Sequence, residues 1–170
     1  GHEIWQVRYG DGYSVIPKPV FGHGLLFIAT GYNKPIVMAI RPEGARGDVT
    51  DSNVVWTTDK AAPHTPSLLL VGDELYMVSD KGIATCLDAR TGEQRWQERL
   101  GGGFSASPLF ADGKIYLQSE EGPATVLAPN KTFTKLADTG FKERTLASYA
   151  VGDNCLFIRT ESNLYRVQQQ

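Results

Sequence analysis

The sequence predicts an all-β protein, a β-propeller of four-stranded antiparallel blades with about four blades in this chain. The first observation is a repeated segment: an apolar run, a tight turn of Gly, Asp or His, and a second apolar run that closes on an aromatic residue. These aromatics are Phe27, Tyr76, Tyr116 and Phe157, so the steps are 49, 40 and 41 residues. A period of ~40–45 residues is typical of propeller blades. The second observation is that no long stretch has apolar residues at helical spacing.

The most regular unit, residues 62–100, shows how one blade is built. Asp88, Thr91 and Gly92 lie in the loop before its last strand, where an Asp accepts from turn N–H groups and a Gly supplies a left-handed position. Trp96 lies in that last strand. The four predicted strands of this unit are residues 64–71, 74–79, 83–88 and 94–100.

Two further blades follow the same order but differ at their fourth strands. The blade at residues 13–60 has a longer loop before its fourth strand, which contains Trp56. The blade at residues 104–140 has no Trp, and we expect Phe133 or Leu136 to take its place.

The last blade, residues 145–167, has only three predicted strands. Residues 3–8 resemble an isolated fourth strand, with Trp5 at the Trp position. Because an unpaired sheet edge invites aggregation, we predict that residues 3–8 pair beside residues 163–167, within one chain or between two copies. Residues 1–170 are then one propeller domain.

Composition excludes several classes of function. The 17 basic and 19 acidic residues give a net charge of −2 and form no dense basic cluster, so nucleic acid is not an expected partner. The longest apolar run, residues 24–30, is too short to span a membrane.

Residues 87–96, Leu-Asp-Ala-Arg-Thr-Gly-Glu-Gln-Arg-Trp, are very similar to the repeat of the quinoprotein-dehydrogenase-like propellers. That PQQ-like repeat reads roughly Ala-Leu-Asp-x-x-Thr-Gly-x-x-x-Trp and also builds BamB-like proteins, a non-catalytic branch. The resemblance implies rings of seven or eight blades and a periplasmic or secreted bacterial protein. It also implies that each Trp packs between neighbouring blades, held by the Thr-Gly turn. The structural repeat positions are Trp5, Trp56, Trp96, Asp88, Thr91 and Gly92, and only Trp96 has the full motif beside it.

No catalytic, cofactor-binding or metal-binding residues are predicted. The quinone sites of the resembled family often contain a disulfide between adjacent Cys, whereas Cys86 and Cys155 are far apart in sequence. By alignment, Cys86 is equivalent to Met38 and Val126 on an inward position, and Cys155 lies on the more exposed face. A disulfide between them is not expected. Neither His23 nor His64 has metal-ligand spacing to other ligands, and both are interpreted as solvated turn residues.

The sequence therefore favours a non-catalytic scaffold or protein-binding module, part of a larger propeller. Two alternatives stay open: a fragment of a quinone-dependent oxidoreductase, and a carbohydrate- or cell-envelope-binding module. No cofactor is expected. The expected partners are an unidentified protein and either a second copy of the chain or the missing blades of a longer one.

Overall fold

The computed structural model describes residues 1–10 and 13–168. In it, consecutive strands pair antiparallel into three four-stranded sheets and one three-stranded sheet. The all-β fold with about four blades is confirmed. One four-residue helix, α1 (Thr50–Asn53), lies in the long loop of the first sheet. No helix within the described ranges has the length and apolar character needed to cross a membrane.

The sheets follow one another along the chain, and each is named here by its order. A short N-terminal strand, β1 (Trp5–Gln6), precedes them, and β5 (Gly47–Asp48) lies inside the long loop of the first sheet. The first sheet contains β2 (Val20–Gly22), β3 (Leu25–Ala29), β4 (Val37–Ile40) and β6 (Val54–Thr58). The second contains β7 (Leu69–Val71), β8 (Glu74–Val78), β9 (Ile83–Asp88) and β10 (Gln94–Arg99). The third contains β11 (Leu109–Ala111), β12 (Lys114–Gln118), β13 (Pro123–Leu127) and β14 (Lys135–Gly140), and the last contains β15 (Ala150–Gly152), β16 (Cys155–Arg159) and β17 (Leu164–Gln168).

Tight turns join the first two strands of every sheet. Each turn contains residues with positive φ, a conformation that Gly, Asn and Asp tolerate better than other residues. The residues in this conformation are His23 and Gly24, Gly72, Asp112 and Gly113, and Asp153 and Asn154. The predicted turn positions are therefore confirmed.

Apolar side chains from facing sheets form two core layers. One layer lies between the first and second sheets and includes Phe27, Leu75 and Met77. The other lies between the second and third sheets and includes Tyr76, Ile115 and Trp96. The second sheet is buried on both faces and is the most regular part of the fold.

Strand register corrects one predicted equivalence, that of Cys86 to Met38, and agrees with the other, that of Cys86 to Val126. Trp56 lies opposite Ala39 and Trp96 lies opposite Cys86, so Cys86 is equivalent to Ala39 and not to Met38. In the third sheet the same position is Ala137, opposite Val126.

Neither Phe133 nor Leu136 therefore fills the Trp place of the third sheet. Phe133 contacts Trp96 edge-on, with ring centroids 5.2 Å apart, and Leu136 is 51% exposed. A register shift in β13 and β14 moves the fourth strand relative to the sequence alignment.

The predicted exposure of Cys155 was also wrong. Cys155 is 3% exposed, and its Sγ donates to Asp153 O in the turn that precedes it. Both Cys are free thiols. His23 donates from Nε2 to Gly72 O at 2.8 Å, and the backbone N–H of His64 donates to Asp80 Oδ2 at 2.7 Å. His23 thus lies in an exposed turn, and His64 is half-buried.

The N-terminal strand does not pair with the last sheet within this chain. Instead β1 pairs in parallel with β5, with Trp5 opposite Gly47. The loop of the first sheet satisfies the N-terminal backbone, because Gly47 N–H donates to Ile4 O and Val49 N–H donates to Gln6 O, both at 3.0 Å. β17 consequently pairs only with β16 among the described strands.

Candidate functional site

The indole of Trp56 joins the first sheet to the second. Its Nε1–H donates to Ala89 O at 3.0 Å, in the loop between the third and fourth strands of the second sheet. The indole also lies directly above Gly92, where an added Cβ would be 2.7 Å from Trp56 Cδ2. Gly92 has φ +73°, so a glycine is favoured there both by its conformation and by the close approach of the ring.

Asp88 organises the loop that receives Trp56. Its Oδ1 accepts from the backbone N–H groups of Arg90 and Thr91, each at 2.9 Å, and its Oδ2 accepts from Arg95 at 2.7 Å. Burial opposes ionisation of this carboxyl group, but the hydrogen bonds from Thr91, Arg90 and Arg95 outweigh it and lower the pKa of Asp88. The charged carboxylate therefore holds the loop in one conformation.

Trp96 repeats this arrangement toward the third sheet. Its Nε1–H donates to Asn130 O at 3.0 Å, and its ring packs on Tyr76 and Phe133. The Thr91–Gly92 turn thus contacts the Trp of the preceding sheet, Trp56, and not the Trp that follows it in sequence. The motif that precedes Trp96 in sequence therefore lies against Trp56, because a loop and the Trp that it contacts belong to neighbouring sheets.

Trp5 lies beside the corresponding loop of the first sheet. The segment that contains it is held there by Arg8, whose side chain pairs with Asp48 and whose backbone N–H donates to Thr50 Oγ1 at 2.9 Å. Thr50 and Arg8 together lower the pKa of Asp48. The three Trp thus all lie against loops between third and fourth strands.

The residues present do not fit a quinone or calcium site. The indoles of Trp56 and Trp96 are packed between sheets and hydrogen-bonded to loop carbonyls, so neither offers a free face for a cofactor. Across residues 1–10 and 13–168, no group of three His, Cys, Asp or Glu side chains could hold a metal ion.

An exposed aromatic patch lies at the loop end of the first sheet, and sequence reasoning missed it. We define the patch as Tyr13, Val15, Ile16 and Tyr32. Tyr13 and Tyr32 are 56% and 55% exposed, and their rings are 5.7 Å apart. Tyr32 N–H donates to Tyr13 O at 2.7 Å. Gly31 permits this contact, because an added Cβ there would be 2.0 Å from Tyr13 O.

His64 supports this patch from the second sheet. Its ring lies 5.3 Å from that of Tyr32, and its Nδ1 is 3.4 Å from Asp80 Oδ2. The patch therefore has a fixed base, while Val15 and Ile16 present exposed aliphatic groups beside the tyrosines. Rigid, exposed tyrosines next to apolar residues are typical of protein-binding surfaces.

Replacing Trp96 with Ala should destabilise the fold. The indole is buried and makes both an inter-sheet hydrogen bond and aromatic contacts, and large aromatic-to-Ala changes in cores cost ~3–5 kcal/mol. Thermal and urea unfolding measure the loss. Leu136→Ala, at a residue 51% exposed, is the control and should change the free energy of unfolding by less than about 0.5 kcal/mol. An unchanged melting temperature in Trp96→Ala would contradict the docking role.

Gly92→Ala should cost more stability than Gly113→Ala. Both glycines have positive φ, but an added Cβ at Gly113 meets open space, whereas at Gly92 it meets Trp56. Strain at positive φ costs roughly 1–2 kcal/mol at either site, and the steric conflict adds to it only at Gly92. In a Trp56→Ala background the two substitutions should become equal. Equal costs in the unaltered chain would refute the contact between loop and indole.

Comparison with known proteins agrees with this geometry. Residues 45–137, more than half of the chain, match the model of the family described as outer membrane protein assembly factor BamB. The curated BamB of Burkholderia pseudomallei (strain K96243) is 28% identical over 140 residues, covering 80% of this chain and 36% of that protein. The chain thus spans about a third of that relative's length.

Solved structures show the same fold at low identity. BamB from Moraxella catarrhalis superposes with a TM-score of 0.66 at 14% identity, covering 86% of this chain and 40% of that one. Quinohemoprotein alcohol dehydrogenase from Comamonas testosteroni superposes with a TM-score of 0.69 at 16% identity, covering 88% of this chain and 29% of that one. The second likeness is one of fold alone. On the family match and the docked-Trp repeat, the chain belongs to the BamB family of PQQ-like repeat propellers.

Proposed function

We propose that this chain is a non-catalytic, protein-binding section of a BamB-like propeller in the bacterial periplasm. The aromatic patch is the observation that carries this proposal. In propellers, function depends on loops presented at the ends of the sheets, and the patch is such a surface. The curated relative is an outer membrane protein assembly factor, so the proposed partner is an outer membrane protein or a protein that assembles one.

The patch is suited to a polypeptide partner for physical reasons. The two tyrosine rings offer a large apolar area at a small entropic cost, because the backbone bridge and His64 already hold them in place. Their hydroxyl groups can donate and accept hydrogen bonds at the rim. Strands of outer membrane barrels alternate apolar and polar residues, so an unfolded barrel protein exposes apolar side chains that such a patch could bind.

Binding should weaken when the patch is made polar. The measurement is fluorescence anisotropy of a labelled, unfolded outer membrane barrel protein titrated with the purified chain. Tyr13→Ser combined with Tyr32→Ser should raise Kd about tenfold or more, the scale at which aromatic anchors contribute at interfaces. Leu136→Ser, which changes an exposed residue of similar exposure on β14, is the matched control and should leave Kd unchanged.

A second measurement separates this proposal from the oxidoreductase alternative. Pyrroloquinoline quinone and Ca²⁺ are added to the chain, and the absorbance difference spectrum is recorded. We expect no saturable change. A saturable spectrum, together with equal anisotropy curves for the tyrosine and Leu136 variants, would overturn the proposed function in favour of cofactor binding.

We also propose that a second copy of the chain supplies the strand that the last sheet lacks. Among the described strands β17 pairs only with β16, and residues 3–8 have the sequence of a fourth strand. In the second sheet, Tyr76 lies opposite Cys86, and Cys86 lies opposite Trp96. In the last sheet, Phe157 takes the place of Tyr76 and lies opposite Arg166. A fourth strand added in the same register would therefore place Trp5 opposite Arg166. If each of two copies supplies its residues 3–8 to the other, both last sheets gain a fourth strand, and the two chains form a closed ring of eight sheets.

Deleting residues 1–9 tests the two-copy arrangement. Light scattering should show a dimer for the whole chain and a monomer for the shortened one, and the melting temperature should fall with the loss of the dimer. The control is Phe110→Ser, an exposed residue on β11 that should keep the dimer. A whole chain that is monomeric at all concentrations would exclude a second copy and leave the blades of a longer chain as the partner.

A further inference from the structure

A cavity of about 600 Å³ lies at the interface between the third and last sheets. Tyr116 and Gln118 of β12, with Ala124 and Thr139 from the rest of the third sheet, line one side. The opposite side comes from the last sheet: Val151, Leu156, Ile158 and Val167. The two earlier interfaces contain apolar core clusters, and a smaller cavity of about 320 Å³, lined by Thr57, Thr85 and Gln94 among others, lies between the first and second sheets.

Two substitutions within the repeat place smaller side chains at this interface, and a third places a polar one. Where the second sheet has Trp96, the third has Ala137, as the strand register shows. In the same way Ala111 replaces Val71, and Gln118 replaces Val78. A Trp side chain alone buries about 150–250 Å², far more than Ala137 can bury at the equivalent position, and Thr139, two residues along the same strand, lines the cavity.

The walls of the cavity are held in place by their own contacts. Tyr149 Oη donates to Gln118 Oε1 at 2.8 Å, and Gln118 Nε2 in turn donates to the carbonyls of Ser119 and Gly122. The Tyr149 ring meets Tyr116 edge-on with centroids 6.2 Å apart. Burial raises the pKa of Tyr149, so its hydroxyl stays protonated. A wall fixed in this way is pre-formed for a ligand.

The charged residues that line the cavity restrict which ligands can bind there. Asp112 is the one charged residue among those that line the cavity, and Lys114 pairs with it at 2.6 Å. An anionic ligand would therefore enter without a cationic partner, which is unfavourable in an apolar site. A volume of this size falls in the range of small-molecule sites, roughly 300–1,000 Å³.

We infer that this cavity binds an uncharged aromatic small molecule of two or three rings. Tyr116 supplies the aromatic contact, since it occupies the position of Tyr76, the ring on which Trp96 packs in the preceding interface. The ligand would thus take up space that the repeat elsewhere fills with an indole. Thr139 and Asn154 offer hydrogen-bonding groups along the lining.

Two fluorescent probes test this inference directly. N-phenyl-1-naphthylamine is uncharged and brightens in apolar surroundings, and 8-anilinonaphthalene-1-sulfonate has the same rings with an added negative charge. We expect saturable, one-to-one binding of the uncharged probe and at least tenfold weaker binding of the sulfonate. Equal affinity for both probes, or a signal from the uncharged probe that does not saturate, would overturn the inference.

A pair of variants on one strand locates the site. Thr139→Trp places an indole in the cavity, because Thr139 lies opposite Ala124 and both line it. Leu136→Trp places the same side chain on the opposite face of β14. The first should weaken binding of the uncharged probe at least tenfold and the second should leave it unchanged. Circular dichroism melting of both variants confirms that they fold, and equal probe affinities in two folded variants would refute the assigned site.

Discussion

The fold depends on one repeated interaction, in which a Trp from the fourth strand of one sheet is received by a loop of the next sheet. Trp56 and Trp96 each donate from Nε1 to a loop carbonyl at 3.0 Å, although the two loops share little sequence. A hydrogen bond fixes the depth and orientation of the indole, and its large apolar area supplies the free energy. Together these contacts set the spacing of successive sheets.

The interface that lacks this Trp has a different lining. The third sheet has Ala137 at the Trp position, and the interface beyond it contains a cavity lined by tyrosines and glutamine. A scaffold whose sheets are joined by one interaction can open a binding site by losing a single copy of it. The same repeat thus gives regular contacts between sheets where the Trp is present and the proposed ligand site where it is absent.

The two ends of the row of sheets carry the surfaces that we propose bind other molecules. The second sheet, covered on both faces, contributes none of the large exposed apolar residues in the described part of the chain, whereas the first and last sheets contribute many. At one end, Trp5 of β1 lies against the long loop of the first sheet. At the other end, β17 pairs only with β16 within the part of the chain that the structure describes. These ends and the aromatic patch are the surfaces through which a BamB-like section would bind partners.

The sequence by itself determined the all-β class, the repeat, the turns and the Trp positions, because period and turn chemistry are local properties of the chain. It also identified Asp88 and Gly92 as a structural loop. It did not show that this loop receives Trp56, that Ala137 is the vacant Trp position, or that Tyr13 and Tyr32 meet. Those facts depend on register and on contacts between sheets that lie many residues apart. Only the tertiary structure decides them, since a one-residue shift in pairing moves a side chain to the other face of its sheet.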